Sequence, residues 1–314
     1  FILIFLFSLI FISLFIFFFF HKPNQSNLNN FFWLSKETSI IINNWFMMYF
    51  LSVVLVGTVY PIFLDVLTSE KISVGPPFYH KLLVPFLIPF LLIMAIGPKL
   101  KWIKSNLEDK VYLISLLFIS FLLSFLIVRN FNSNFLINTI LISSALYLFF
   151  VTLRDFFIKK KNNISQNIAH FGFSLLILSI LFNSLFSTEI ITNLKVGETF
   201  ENSTTKIIFK NINQKNEKNY KSVVGNFIIQ NSNGKIDNLS PELRIYNQPN
   251  IVTSEADIKT TLLSDKFLVI NLVQNQDYFN VRYQVKPFML WIWLSVLLIS
   301  LGALISLFKK EYEK

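Results

Sequence analysis

The stretch Gln166-Asn-Ile-Ala-His170-Phe-Gly-Phe-Ser-Leu-Leu-Ile-Leu-Ser-Ile-Leu-Phe-Asn-Ser-Leu-Phe186 decides the fold. It contains no Asp, Glu, Lys or Arg. As a helix rising about 1.5 Å per residue, it is long enough to cross roughly 30 Å of hydrocarbon. A helix also satisfies its backbone hydrogen bonds internally, which lipid requires. Downstream, Ser187–Pro287 is polar and rich in β-formers, and a second apolar run, Phe288–Phe308, follows it. Upstream lie Phe1–Phe20, Asn44–Leu64, Leu82–Pro98, Val111–Val128 and Phe135–Leu153. The pattern predicts an all-α polytopic membrane protein of about seven transmembrane helices, with a β-rich domain between the last two. The expected divisions are 1–186 for a six-helix region, 187–287 for the β-rich domain, and 288–314 for the final helix and a short basic tail. Pro85 and Pro89 predict a kink in the third span, because proline removes a donor and crowds the preceding turn.

The chain is 53% hydrophobic over 314 residues and carries a net charge of +10. That charge does not indicate nucleic acid, because its cations sit in short loops flanking the apolar runs. Lys99, Lys101, Lys104 and Lys110 precede the fourth span; Arg154, Lys159, Lys160 and Lys161 precede the sixth; Lys309, Lys310 and Lys314 close the chain. Alternate loops are poorer, with Lys71 and Lys81 in one and Arg129 in another. The positive-inside rule puts the rich loops on the cytoplasmic or matrix side. Residues 187–287 and the N-terminus then face outward.

Within 187–287, Val223–Gln230 and Lys235–Leu239 flank an Asn-Ser-Asn-Gly turn, a hairpin signal. Thr204–Ile212, Leu243–Tyr246, Phe267–Val273 and Phe279–Val285 are further strand candidates, the last two joined by Gln-Asn-Gln-Asp.

Cysteine is absent, which excludes disulfides and thiolate metal sites. Each of the three histidines can be weighed. An ionisable group inside a span is costly and faces a partner or cofactor. His170 therefore reads either as an axial haem ligand, with Gly172 allowing a flat ring to approach, or as a neutral imidazole bonded to a neighbouring helix. His21 reads as an interfacial residue after the first span, and His80 as a solvated residue at the outer mouth of the third. The loop Lys71-Ile-Ser-Val-Gly75-Pro-Pro77 is either a chain reversal or part of a binding surface. Trp291 and Trp293 fit an aromatic belt. Glu242, Arg244 and Arg282 read as ion-paired within the β domain or as docking residues, and Lys286 and Pro287 mark the return to the membrane. No phosphate loop, nucleophile elbow, His-Glu-x-x-His spacing or intramembrane carboxylate pair occurs, and no catalytic residue is assigned.

Several motifs, in order, resemble the CcmF family of cytochrome c maturation proteins. They are Ser35-Lys36-Glu37 through Asn43-Asn44, Gly57-Thr-Val-Tyr-Pro61, the Lys71–Pro77 loop, Ala169-His170-Phe171-Gly172, Ser240-Pro-Glu-Leu-Arg-Ile-Tyr246, Val281-Arg282, and Lys286-Pro-Phe288 leading into Trp291-Ile-Trp293-Leu294. The resemblance implies a haem-handling membrane protein that takes haem from a covalent haem chaperone. It would act in attaching that haem to the Cys-x-x-Cys-His motif of apocytochrome c, alongside other maturation proteins of the membrane. It also implies haem b as cofactor, with His170 as an axial ligand of the haem iron. The family's tryptophan-rich segment, the two histidines flanking it and the first haem b ligand belong to an N-terminal half that the resemblance does not reach. The chain is thus expected to correspond to the C-terminal half, as a split subunit or as part of a longer polypeptide. Its partner would be the N-terminal half or a companion subunit, and without it the chain is expected not to perform ligation. The expected location is the bacterial inner membrane, or alternatively the mitochondrial one. A non-enzymatic scaffold or transporter presenting the β domain is the competing reading.

Overall fold

The structure, a computed structural model, describes residues 2–20, 32–68, 71–103, 109–131, 134–157, 164–231, 234–249, 251–273 and 277–308. Seven helices are present among them: α1 (Ile2–Phe20), α2 (Lys36–Thr68), α3 (Pro76–Ile96), α4 (Lys110–Val128), α5 (Phe135–Phe157), α6 (Ile164–Phe186) and α7 (Met289–Phe308). Helices α2 to α7 are each long and apolar enough to cross a membrane, and α1 is apolar almost throughout. The protein is a multi-pass membrane protein with a β domain between α6 and α7.

Helix α5 forms the middle of the helical region. Leu141, Ile142, Ala145, Leu148 and Val151 pack against Leu91 and Ala95 of α3, Leu113 and Val128 of α4, and Leu178 of α6. Small hydroxylic residues let these helices approach closely, the usual device where lipid removes the hydrophobic drive between them. Buried Ser124 of α4 donates to the Thr139 carbonyl of α5 at 2.6 Å. Helices α6 and α7 meet at glycines. A Cβ on Gly172 would lie 3.0 Å from the Ile299 nitrogen, and one on Gly302 only 2.7 Å from the Ala169 nitrogen.

Two of the expected spans start earlier than their apolar runs. Helix α2 begins eight residues before Asn44, where Ser35 caps it by accepting the Thr38 N–H at 3.2 Å. Helix α3 begins at Pro76-Pro77, which suit a first turn, where the missing donors are not needed. The Lys71–Pro77 loop is therefore partly helical. Its remainder lies along α2, where Lys71 and Ile72 share a shallow depression with Pro61 and Asp65. Helix α3 runs as one element through both Pro85 and Pro89.

The β domain has ten strands: β1 (Thr188–Leu194), β2 (Thr199–Glu201), β3 (Thr205–Asn216), β4 (Tyr220–Asn231), β5 (Ile236–Leu239), β6 (Glu242–Tyr246), β7 (Val252–Glu255), β8 (Asp257–Thr260), β9 (Ser264–Leu272) and β10 (Phe279–Pro287). They form two antiparallel sheets, one ordered β1-β10-β9-β8 and the other β2-β3-β4-β6-β7 with β5 also on β4. Leu268, Ile270, Val281 and Tyr283 of the first sheet bury against Ile207, Phe209, Phe227 and Ile229 of the second, making a sandwich. The β4–β5 hairpin forms as expected, and Gly234 takes φ +71°, a conformation that favours glycine. Strands β9 and β10 pair antiparallel as well.

One buried carboxylate ties the two sheets together. Asp237 of β5, 1% exposed, meets the ammonium groups of Lys266 on β9 and Lys259 on β8. Burial alone would raise its carboxyl pKa, but hydrogen bonds and charge from the two lysines outweigh burial and hold it below the usual value. Burial, reinforced by the Asp237 charge, also pushes the Tyr283 phenol up to about 12. Asp237→Ala leaves Lys266 charged and buried, so it is expected to destabilise the sandwich by about 3–5 kcal/mol in denaturant titrations. With its folded pKa depressed, Asp237 contributes stability above the unfolded carboxyl pKa. That contribution is lost as pH falls through the folded value. In Asp237→Ala the acid limb of the stability profile should accordingly be flatter.

Candidate functional site

Residues from α2, α3 and α6 converge on a cleft of about 190 Å³ at the lysine-rich end of the helices. Along α6, Ser165, Ala169 and Gly172 face α7, while Gln166 and His170, one turn apart, open into the cleft. Phe171 turns toward α5, where its ring meets Phe149 at a tilt and Phe156 edge-on. Facing His170, α2 contributes Lys36, Ser39 and Asn43, and the end of α3 contributes Ile93, Met94 and Gly97. His170 is half-buried there.

The start of α2 is fixed by the Ser35-Lys36-Glu37 motif itself. Ser35 and Thr38 are both buried, and their hydroxyls are 2.9 Å apart. The Lys36 N–H donates to the Lys101 carbonyl, and both Glu37 oxygens accept the Ile103 N–H at 2.9 and 3.0 Å. These bonds hold α2 to the segment after α3. The Lys36 ammonium lies 5.0 Å above the Trp102 ring and has no ion pair among the described residues. Nearby, Lys99 pairs with Asp155 at 2.5 Å. Gly97 permits the closeness of α2 and α3, since a Cβ there would collide with Ser39 Oγ.

Of the sequence candidates, only His170 lines this cleft. Gly172 does not stand beside it, as a flat-ring approach would need; it packs against Leu298 and Ile299 of α7. His80 is exposed in the first turn of α3 and 13 residues before Ile93, about 20 Å along the helix. His21 lies outside the described residues. Among the described residues no cluster of three His, Asp or Glu could hold a metal ion. In the sandwich, Arg244 pairs with Glu242, which also accepts from Ser222 Oγ at 2.5 Å, and Arg282 pairs with Glu189. Side-chain hydrogen bonds from Ser222 and Arg244 hold the Glu242 carboxyl below its usual pKa. Both arginines are thus ion-paired within the domain, the first of the two expectations. The other outer motif, Gly57-Thr-Val-Tyr-Pro61, meets the first turn of α3 directly, with Gly57 making room for the Tyr79 ring.

The cleft residues Lys36, Ser39, Asn43 and Gln166 were not candidates from sequence. Ser39 and Asn43 are one turn apart, so their shared face was legible once α2 is started at the Ser35 cap rather than at the apolar run.

Residues 185–287 match the family model described as the CcmF C-terminal beta-sandwich. Over 296 residues the chain is 26% identical to the cytochrome c-type biogenesis protein CcmF of Pseudomonas fluorescens, covering 89% of this chain and 44% of that protein. It is also 26% identical over 303 residues to CcmF of Escherichia coli K12, covering 94% and 46% respectively. The sandwich match and these relatives together fit the C-terminal half of CcmF. A solved structure described as cytochrome c heme lyase CcmF superposes with a TM-score of 0.68 at 19% identity, covering 88% of this chain and 46% of that one. The likeness to CcmF thus extends through the helices as well as the sandwich, and its extent fits the C-terminal half of CcmF. The chain spans about half the length of the CcmF relatives it matches.

Proposed function

We propose that this chain is the haem-holding, membrane-embedded C-terminal part of a cytochrome c haem lyase, acting in c-type cytochrome biogenesis. The observation that carries the reading is His170, a half-buried imidazole inside a span, lining a cleft with polar residues on one side and apolar ones on the other. This donor set fits haem b. His170 would hold the haem iron through an imidazole nitrogen, Ile40, Ile93 and Met94 would form an apolar wall, and Lys36 would offer a cation to the haem carboxylates. Haem b, when bound, supplies a one-electron couple at its iron.

Pockets that engulf a drug-sized ligand run to about 300–1,000 Å³. A cleft of 190 Å³ is too small to enclose a whole macrocycle, so a second polypeptide segment would have to complete the site. That segment is the counterpart of the CcmF N-terminal half, whether a companion subunit or part of the same polypeptide. The further partners on this reading are a haem chaperone, apocytochrome c and other maturation proteins of the bacterial inner membrane. The lysine-rich loops favour a sandwich on the periplasmic face.

The reading is tested by purifying the chain from membranes together with that counterpart. Reduced haem b bands, and restoration of c-type cytochromes in a strain lacking the chain, are the expected results. A colourless complex with haem supplied, or normal c-type cytochromes without the chain, would overturn it. Lys36→Met is expected to lower retained haem about tenfold by pyridine haemochrome assay, the effect of losing one charge-assisted hydrogen bond. Lys36→Arg is expected to keep most of it.

A further inference from the structure

The turn between β8 and β9 carries two adjacent leucines at its tip, Leu262 at 72% exposure and Leu263 at 68%. Water-facing turns favour Gly, Asn, Asp and Ser at such places. This turn is also bonded to the first residues of the last span. The Phe288 N–H donates to the Leu263 carbonyl at 2.8 Å, and the Trp291 indole N–H donates to the Leu262 carbonyl at 2.9 Å. Trp291 is the third residue of α7, so the tip lies level with the point where that helix enters the bilayer. Trp293, 64% exposed two residues later, marks the same layer as an interfacial aromatic.

Three carbonyls of the turn are paired. Thr261 N–H and Oγ1 both donate to the Ser264 carbonyl, and Ser264 N–H donates to Thr261 Oγ1. The carbonyls of Leu262, Leu263 and Ser264 therefore all have protein donors. Pairing of this kind lowers the cost of bringing backbone carbonyls close to lipid.

We infer that the Leu262–Leu263 tip is seated in the bilayer, with both side chains in the headgroup–acyl boundary on the sandwich side of the membrane. Its partner is the lipid surface, and the site is a third attachment of the sandwich beside its two chain connections. The inference rests on the hydrogen bonds to α7 and on leucine exposure, and is independent of haem binding.

The absence of cysteine makes the test direct. Leu262→Cys, Leu263→Cys and Leu272→Cys are each spin-labelled in the protein reconstituted with its counterpart into phosphatidylethanolamine–phosphatidylglycerol vesicles. Leu272 is a useful control because it too is exposed, at 51%, but ends β9 about 26 Å from Ser264. Labels at 262 and 263 are expected to collide more often with oxygen than with a water-soluble nickel chelate, with the ratio reversed at 272. A nickel-accessible label at 262 and 263 would overturn the inference. So would labels shielded from both reagents, which would mean a protein partner covers the tip. The single-cysteine forms at 262 and 263 check each other, and the 272 label gives the ratio for a water-facing site on the same sandwich.

Discussion

His170→Ala is expected to remove the reduced haem b bands from the purified complex while leaving the helices and sandwich folded. Losing a residue that only supports a metal ligand costs about 10–100-fold in affinity, and losing the ligand itself should cost at least as much. Structural damage from the substitution should be small. His170 is half-buried and points into a cleft, while the neighbouring residues that hold α6 in place face elsewhere: Ala169 and Gly172 toward α7, Phe171 toward α5, and Phe173 against Phe90 of α3. A haem-free complex that still shows normal protease resistance would therefore assign the ligand. His170→Gly offers a complementary readout, because added imidazole can fill the vacated space. Partial return of the bands with imidazole is the expected outcome. Unchanged bands in His170→Ala would remove this residue from the axial position.

The second large effect is expected at Gly302. A Cβ there would stand 2.7 Å from the Ala169 nitrogen and 2.8 Å from the Ser165 carbonyl oxygen, both backbone atoms that no rotamer change can move aside. Gly302→Ala must already separate α6 from α7, at an expected cost of about 1–3 kcal/mol. Gly302→Leu should exceed that and lower the thermal midpoint in detergent further. Ala303 faces outward, so Ala303→Leu is the control and is expected to change the midpoint little. Equal effects at 302 and 303 would show that the glycine contact contributes nothing to stability.

Much of this architecture can be read from the chain because lipid imposes a strong rule: apolar runs of about twenty residues become helices. The runs located all seven helices, and the hairpin turn ending in Gly234 and the β9–β10 pair were equally visible. What the pattern missed has identifiable causes. The first eight residues of α2 are polar or charged at several positions, so a search for apolar length starts at Asn44 and misses the Ser35 cap. Strands β2, β7 and β8 are edge elements of three or four residues whose sequences, such as Val252-Thr-Ser-Glu255, lack the long β-branched alternation of β3 and β4. Gly172 was misread because sequence adjacency to His170 was taken as spatial adjacency. Two residues on a helix differ by about 200° in direction, which places Gly172 on the α7 side. His170 itself was legible because an ionisable residue inside a span is conspicuous, while its cleft partners on α2 and α3 lie far back in the chain and only tertiary packing brings them near.

Helix α6 passes into β1 across Ser187, and β10 passes into α7 across Phe288, while β1 and β10 pair along their length from Thr188 and Val285. Asn183 of α6 adds a clamp at this seam by donating to the Pro287 carbonyl at 2.6 Å. Mechanically, the helix pair and the strand pair form one continuous two-legged shaft, with no free hinge between the membrane part and the outer part. A torque applied to the sandwich by a docking protein is carried down both legs, and one of those legs bears His170. The same stiffness works in reverse: the bearing of the sandwich about the membrane normal is set by the glycine-to-backbone contact between α6 and α7.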